Sequence, residues 1–220
     1  MFKTVTMYTN KLQELRGFYG NVLELNVTAA DDHYFQVEIG ESTLIFQESE
    51  HASLYHFAIN IPGNQYTLAK LWAKERVVLN REDGLDDIYY SRFDADAFYF
   101  EDPAGNVIEF IARRHVDKWS DFSIESLLNI SEVSITTPFV KQVGEQLQNL
   151  GIAVSGHVRI EPEELNFIGR KDTFILLVPP QRRWYFSRKM SVTSPIDIHF
   201  TNGKRVAINE KGELSEDESG

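Results

Sequence analysis

The chain has 220 residues, of which 42% are hydrophobic and 25% charged, so it can bury a full core and has the composition of an ordinary globular protein. It has no cysteine, which excludes a disulfide framework, a thiol nucleophile and a cysteine metal site. Its formal net charge of −11 argues against duplex nucleic acid or an anionic membrane as a partner.

The expected location follows from two further patterns. Residues 1–25 lack the basic-then-apolar pattern of a signal peptide. No apolar run reaches the roughly 18 residues needed to span a membrane. We therefore predict a cytoplasmic protein with no membrane partner.

One supersecondary unit, a strand, a helix and three strands, begins three times along the chain. Unit one has an alternating strand at residues 3–8 and a helix from Lys11 that Asn10 can cap. Its three further strands are predicted around residues 25–29, 33–40 and 42–48.

Unit two starts with the strand at residues 54–62, which Pro62 and Gly63 end. The next helix, "YTLAKLWAKERV", should turn Leu68, Leu71 and Trp72 inward. Strands follow around 77–79, 96–102 and 107–113, and "DPAGN" forms a tight turn between the last two.

Unit three starts with the strand at 131–138 and a helix that ends at Gly151. Strands are predicted near 152–156, 164–169 and 173–180, followed by a hairpin at 195–208 with Asn202-Gly203 in its turn. The predicted organisation is a paired domain (1–115), a linker (116–127), unit three with the hairpin (128–208) and an acidic disordered tail (209–220).

Glu109 is a lone carboxylate among Val107, Ile108, Phe110 and Ile111 in the last strand of unit two. A buried, unpaired carboxylate costs several kcal/mol. Glu109 should therefore face solvent, pair with a neighbour or hold a ligand, and the residues alone leave these three possibilities open.

The segments "LRGFYGNVLEL" in unit one and "FYFEDPAGNVIEF" in unit two together resemble the vicinal oxygen chelate superfamily. This superfamily includes glyoxalases, bleomycin resistance proteins and extradiol dioxygenases. The resemblance covers residues 1 to about 114. It implies an α+β fold in which two tandem βαβββ units form a half-open, glyoxalase/dioxygenase-like barrel around a divalent metal, with the third βαβββ-like unit and the C-terminal hairpin added.

The resemblance also implies metal ligands on the first and last strands of each unit. His56 and Glu109 match these positions in unit two, where they are candidate ligands and candidate catalytic residues. Thr4 stands at the first-strand position of unit one, so that ligand is missing, and Ile45 or Gln47 stands at the last-strand position. The site is thus expected to be incomplete unless Thr6, Tyr8, His33 or a residue of a partner chain completes it.

The expected ligand pocket combines residues of the first two units, namely Thr4, Thr6, Tyr8, Ile45, Gln47 and Phe98. Tyr89 and Tyr90 are further candidates for an apolar wall that receives a planar ligand. Two alternatives remain for His56 and Glu109: they bind iron, manganese, nickel or zinc, or they form a metal-free pair whose hydrogen bond raises the imidazole pKa and suits a general base.

Other candidate residues favour simpler interpretations. His199 is expected on a surface or an edge strand, and Glu132, which stands where unit three repeats Thr4 and His56, is expected to face solvent. The cluster Arg182, Arg183 and Trp184 could clamp an anion, but an exposed loop is the favoured prediction.

We predict that unit three packs against its copy in a homodimer, since an unpaired unit leaves a sheet edge open, and the alternative is that it folds back on unit two. For function, the favoured prediction is a binder of a small apolar or aromatic molecule with an incomplete metal site. The alternative is a metal-dependent dioxygenase, lyase or isomerase acting on a molecule with vicinal oxygens.

Overall fold

The computed structural model describes residues 1–119, 121–152 and 159–215. No helix within these residues is long and apolar enough to cross a membrane. The predicted strand at 152–156 falls almost wholly outside the described residues.

Unit one forms the predicted order of strand, helix and three strands. Its elements are β1 (Phe2–Thr9), α1 (Leu12–Gly17), β2 (Val27–Ala30), β3 (Tyr34–Ile39) and β4 (Ser42–Glu48). A single π-helical turn, Phe18–Val22, extends α1. Unit two repeats this order with β5 (His56–Pro62), α2 (Tyr66–Lys74), β6 (Ile88–Tyr90), β7 (Ala95–Glu101) and β8 (Val107–Arg113).

Unit three and the hairpin complete the fold. They comprise β9 (Asn129–Thr136), α3 (Val140–Asn149), β10 (Asn166–Arg170), β11 (Thr173–Val178), β12 (Ile196–Phe200) and β13 (Arg205–Ile208). The α+β fold predicted from the sequence is confirmed.

The orientation of α2 differs from the prediction. Leu68 and Leu71 are exposed, whereas Ala69 and Ala73 are fully buried. Trp72 packs against the core as predicted. The helix therefore faces the sheet through Trp72 and its two buried alanines, whose small side chains allow a close approach, and the prediction is wrong for the two leucines.

The strands form two mixed sheets in the part of the chain that the structure describes. One has the order β13-β12-β1-β4-β3-β2 and the other β10-β11-β9-β5-β8-β7-β6. The pairing of units one and two in a single barrel, which the sequence predicted, is therefore wrong. Unit two shares its sheet with unit three through antiparallel pairing of β5 and β9, and unit one shares its sheet with the hairpin.

The open edge that motivated the dimer prediction is thus filled within the chain. The first strand of each unit lies at the edge of that unit and can pair with another strand. The sequence does not show which two first strands pair. The structure realises the alternative in which unit three folds back on unit two. The homodimer and the domain boundaries at 115, 127 and 208 stay predictions.

One apolar core joins both sheets and all three helices. A second, smaller cluster lies on the other face of the β5-β8-β7 region and includes Ala58, Tyr99, Ile111, Trp184 and Phe186. This second cluster lines a cup formed by units two and three. The connection between β11 and β12 covers the cup with Trp184 and Phe186, and the prediction of an exposed loop is wrong for Trp184, which is buried.

The two motifs behind the family resemblance contact each other. The Tyr19 hydroxyl, from "GFYGN", donates to Asp102 Oδ2 at 2.9 Å, and Asp102 begins the "DPAGN" turn. Asp102 Oδ1 also accepts the backbone N–H groups of Ala104 at 2.9 Å and Asn106 at 3.0 Å. Burial raises the Asp102 pKa to about 6 despite these hydrogen bonds. The motifs therefore have a structural role in joining unit one to unit two.

The acidic tail is folded at its beginning. The Asn209 N–H donates to the Glu213 carbonyl at 3.0 Å, and the Thr137 hydroxyl donates to the Gly212 carbonyl at 2.6 Å. The prediction of disorder is therefore wrong for residues 209–215, whereas 216–220 lie outside the described residues.

Gly40 of unit one lies against the backbone of Leu128, just before the first strand of unit three. Its φ is +54°, and an added Cβ would lie 2.1 Å from the Leu128 carbonyl oxygen. We expect Gly40→Ala to lower the free energy of unfolding by about 3 kcal/mol, because strain and a backbone clash add.

Gly203→Ala is the matched control, since Gly203 also has positive φ (+84°) but open space around it, and it should cost about 1 kcal/mol. Urea unfolding of both variants measures the difference. Equal losses would show that the contact with Leu128 does not constrain the fold.

Candidate metal centre in the cup

Three ionisable side chains converge at the base of the cup. His56 on β5, Glu109 on β8 and Glu132 on β9 each place one ligand atom so that all three atoms lie within 4.8 Å of one another. The distance from His56 Nε2 to Glu109 Oε2 is 3.5 Å. Each residue is at most 5% exposed, so the cluster lies in a low-dielectric interior.

Strand register brings the three together. Ala58 pairs with Glu109 on the parallel strand β8 and with Glu132 on the antiparallel strand β9. His56 precedes Ala58 by two residues and therefore projects from the same face of β5. Because Ala58 carries only a methyl group, it leaves room between the two carboxylates for an ion.

His56 is oriented for use as a ligand. Its Nδ1 lies 3.0 Å from the Val107 carbonyl oxygen, which can only accept, so Nδ1 carries the proton and Nε2 presents a lone pair toward the carboxylates. Burial lowers the His56 pKa to about 4. The raised imidazole pKa expected for a metal-free pair with Glu109 is therefore wrong, because loss of hydration outweighs the hydrogen bond to the Val107 carbonyl and the Arg182 charge lowers the pKa further.

Glu132 is buried, so the prediction that it faces solvent is also wrong. The guanidinium of buried Arg113 donates to Glu132 Oε1 at 3.4 Å and to the Ser131 hydroxyl at 3.0 Å. Arg113 also donates to the Asn60 side-chain oxygen. The Arg113 charge partly compensates Glu132, and these contacts hold Arg113 behind the site.

The ionised forms of the two neighbouring carboxylates repel each other. Burial raises the pKa of Glu109 well above its usual range, and the neighbouring Glu132 charge raises it further. Burial raises the pKa of Glu132 to about 7, against the opposing effect of Arg113. Without a cation the pair therefore retains a proton near neutral pH, whereas a divalent ion would stabilise both carboxylates in the charged form.

The repeat also shows which family position lacks a ligand. In unit two, the residue two positions after His56 pairs with Glu109. In unit three, Ser134 stands two positions after Glu132 and pairs with Leu176. Leu176 lines the same cavity, so it occupies the fourth ligand position with an apolar side chain. Three protein ligands with one position open is the arrangement typical of catalytic rather than structural metal sites.

The unit-one candidates lie elsewhere. Thr4, Thr6 and Tyr8 are on β1, and Ile45 and Gln47 are on β4, all in the other sheet. None of them lines the cavity around His56.

Phe98 is buried in the large core, whereas its neighbour Tyr99 pairs with Glu109 and faces the cup. The prediction chose the wrong face of this strand, since a shift of one residue reverses the face. Pairing β7 with β8 across the "DPAGN" turn places Tyr99 opposite Glu109, and this register could have indicated Tyr99 from the sequence.

His199 lies on β12 opposite Thr4, with Nε2 3.3 Å from Asp197 and about half of its side chain exposed. This placement agrees with the prediction of a surface histidine. His33 pairs with Glu48 on the surface, away from the cup.

Next to His56, Glu109 and Glu132, the cup has a cavity of about 180 Å³. Aromatic side chains make up much of its wall, and Arg182 contributes a cation; the aromatic residues are Tyr90, Phe93, Tyr99, Phe167, Trp184 and Tyr185. The Tyr90 and Tyr99 hydroxyl oxygens are 2.6 Å apart, and Tyr99 pairs with Glu109 across β7 and β8.

Comparison with known proteins supports the same fold. A family model described as toxoflavin-degrading enzyme matches residues 130–182, which span unit three and part of the loop over the cup. No curated protein matches the chain.

The chain is similar in structure to several solved proteins. One of them is a Bacillus subtilis subsp. subtilis str. 168 protein that is described only provisionally as a dioxygenase. It is 15% identical with a TM-score of 0.57, and the match covers 90% of this chain and 67% of that one. A lactoylglutathione lyase from Agrobacterium tumefaciens is 14% identical, with a TM-score of 0.44 over 56% of this chain and 98% of that chain.

The chain therefore has the fold of the vicinal oxygen chelate superfamily, as the sequence resemblance indicated.

Glu109 should make the metal-free protein sensitive to pH. Its pKa is raised in the folded state, so it contributes stability at low pH that is lost as the pH rises through the folded pKa. In chelator-treated protein, we expect the melting temperature of the parent to fall relative to Glu109→Gln between pH 5 and pH 8. Differential scanning fluorimetry measures this difference, in which the effect of Asp102 largely cancels because Asp102 contacts other residues. A constant difference across this range would contradict a raised Glu109 pKa.

Proposed function

We propose that the chain is a divalent-metal-dependent enzyme that acts on a small planar molecule held in the aromatic cup. The observation that carries this proposal is the convergence of His56, Glu109 and Glu132 beside a largely apolar cavity. The third ligand comes from unit three and removes the incompleteness that favoured a metal-free binder at the level of sequence.

The donor set fits a divalent ion. One neutral imidazole and two carboxylates, without thiolate, suit Mn²⁺ or Fe²⁺ better than a soft metal. Burial raises the pKa of both carboxylates, and the Glu132 charge raises that of Glu109 further, so a bound cation would favour the ionised form of both. When bound, the ion would supply Lewis-acid polarisation of adjacent oxygens on a substrate.

The other residues prepare the site for this chemistry. Val107 holds the His56 tautomer, and Arg113 holds Glu132. Tyr99 pairs with Glu109, while buried Trp184 and Phe186 pack in the apolar cluster of the cup. Leu176 leaves one side of the cluster without a protein ligand, where a substrate oxygen would bind.

The comparisons are compatible with this proposal. The family model that matches unit three takes its name from a degrading enzyme, and the Bacillus protein shares the fold across most of this chain. Neither likeness identifies the reaction, since this fold supports many chemistries. Dioxygenase, lyase and isomerase activities are therefore the candidate reactions.

A binding protein without catalysis is the second candidate, similar to the bleomycin-resistance branch of the superfamily. It is favoured by Arg113, which compensates one carboxylate without any metal, and by the cup wall, which suits a small apolar or aromatic ligand. In either function, a cytoplasmic location and a homodimer stay predictions.

Metal content separates the two candidates. We expect protein purified without chelator or affinity-tag nickel to contain close to one equivalent of Mn²⁺ or Fe²⁺ by elemental analysis. His56→Ala should lose this metal because catalytic sites rarely hold an ion with fewer than three protein ligands. Parent protein that stays metal-free after incubation with excess Mn²⁺ and Fe²⁺ would favour the binding protein.

Ala58→Leu tests the geometry without removing a ligand. Its larger side chain would fill the space between Glu109 and Glu132, so Mn²⁺ affinity should fall at least tenfold by isothermal titration calorimetry. Ala97→Leu is the matched control, since Ala97 is also fully buried in the cup cluster but pairs with Ile111 and Ile88 instead of the two carboxylates. Circular dichroism establishes that both variants are folded. Unchanged Mn²⁺ affinity in folded Ala58→Leu would place the ion elsewhere.

A further inference from the structure

The segment at residues 179–191, here called the cup loop, carries two hydrogen-bond donors that the metal site does not use. They are the guanidinium of Arg182 and the indole N–H of Trp184, and both side chains line the cavity. The loop follows β11 directly, so it is anchored to the sheet that holds Glu132.

Arg182 is a half-buried cation without an ion-pair partner among the described residues. The hydrogen bond from its side chain goes to the Arg183 carbonyl at 3.3 Å. Glu164 favours its charge only through longer-range attraction, and burial lowers the Arg182 pKa. A guanidinium has five N–H donors, so most of the hydrogen-bonding capacity of Arg182 is available to a ligand.

Trp184 presents the second donor. The side chain is 3% exposed, and within the described residues its Nε1 has no hydrogen-bond acceptor. Its ring lies against His56, with centroids 4.9 Å apart. A buried N–H without an acceptor destabilises the protein, and a ligand acceptor would recover this lost free energy.

Other contacts hold the cup loop in place before any ligand binds. Arg183 forms a two-contact ion pair with Glu82, at 2.5 and 2.9 Å, on the side away from the cavity. The Ser187 hydroxyl donates to Glu101 at 2.7 Å, and Phe186 stacks on Tyr99 with centroids 4.9 Å apart. The adjacent arginines therefore have different roles, since Arg183 fixes the loop and Arg182 faces the cavity.

We propose that the cup binds a small planar aromatic molecule with an anionic edge, which Arg182 and the Trp184 N–H receive as an anchor additional to the metal. A cavity of about 150 Å³ suffices for benzene, so about 180 Å³ accommodates a small ring system. The aromatic walls stack on the ring, and the unpaired guanidinium selects the anion over its neutral analogue. This inference rests on the proposed function only in treating the ligand as a substrate.

Benzoate and benzamide test the inference, because they share a planar shape and differ in charge. Dissociation constants are measured by isothermal titration calorimetry on chelator-treated protein and again with Mn²⁺. We expect benzoate to bind at least tenfold more tightly than benzamide in the chelator-treated protein. Arg182→Met should weaken benzoate about tenfold or more and leave benzamide nearly unchanged.

Arg188→Met is the matched control, since Arg188 is an exposed arginine of the same loop that does not line the cup. It removes the same charge and should leave benzoate binding within about twofold. Trp184→Phe removes the N–H while keeping an aromatic ring, and we expect a several-fold loss for benzoate. If Arg188→Met and Arg182→Met lost similar benzoate affinity, the loss would come from the change in net charge. That result would overturn the proposed contact with Arg182.

The outcomes separate this inference from the proposed function. Benzoate selectivity that depends on Arg182 in a protein that takes up no metal would support the anchor and reject the metal enzyme. Metal uptake with equal affinities for benzoate and benzamide, or with no binding of either, would overturn the anchor and leave the metal site standing.

Discussion

The antiparallel pairing of β5 with β9 is the interaction on which the rest of the site depends. It places Glu132 beside Ala58, whose other neighbour is Glu109, and so brings two carboxylates from different units to the same small side chain. It also joins units two and three into one sheet, with the cup on one face and the shared core on the other. Without this pairing, His56 and Glu109 would be the incomplete pair that the sequence suggested.

The electrostatics of the site follow from this geometry. Two buried carboxylates next to a neutral imidazole create a demand for positive charge, and Arg113 meets only part of it. A divalent ion satisfies the remainder, whereas a retained proton satisfies it in the metal-free protein. The same arrangement thus accounts for both candidate functions, because the occupant of the cluster decides whether the cup is a metal centre or an apolar pocket.

The cup loop adds a separate feature. The metal cluster lies on the sheet, while Arg182 and Trp184 reach the cavity from a loop that Arg183 and Phe186 hold in position. The two proposals therefore place their groups on different parts of the chain. The sheet holds the residues proposed to bind an ion, and the cup loop holds those proposed to select the ligand.

Several features were readable from the sequence because they depend on local patterns. The repeated units follow from hydrophobic periodicity and turn residues, and His56 and Glu109 follow from the motifs of unit two. Glu132 stands at the position equivalent to His56 in the sequence repeat, but its burial depends on a strand partner, Ala58, that lies 74 positions away. Only the tertiary structure decided which first strands pair and which face of β7 carries Tyr99. It also decided that Arg182 faces a cavity. Local periodicity specifies that a strand has a buried face, but strand pairing and register between distant segments determine which neighbours that face meets.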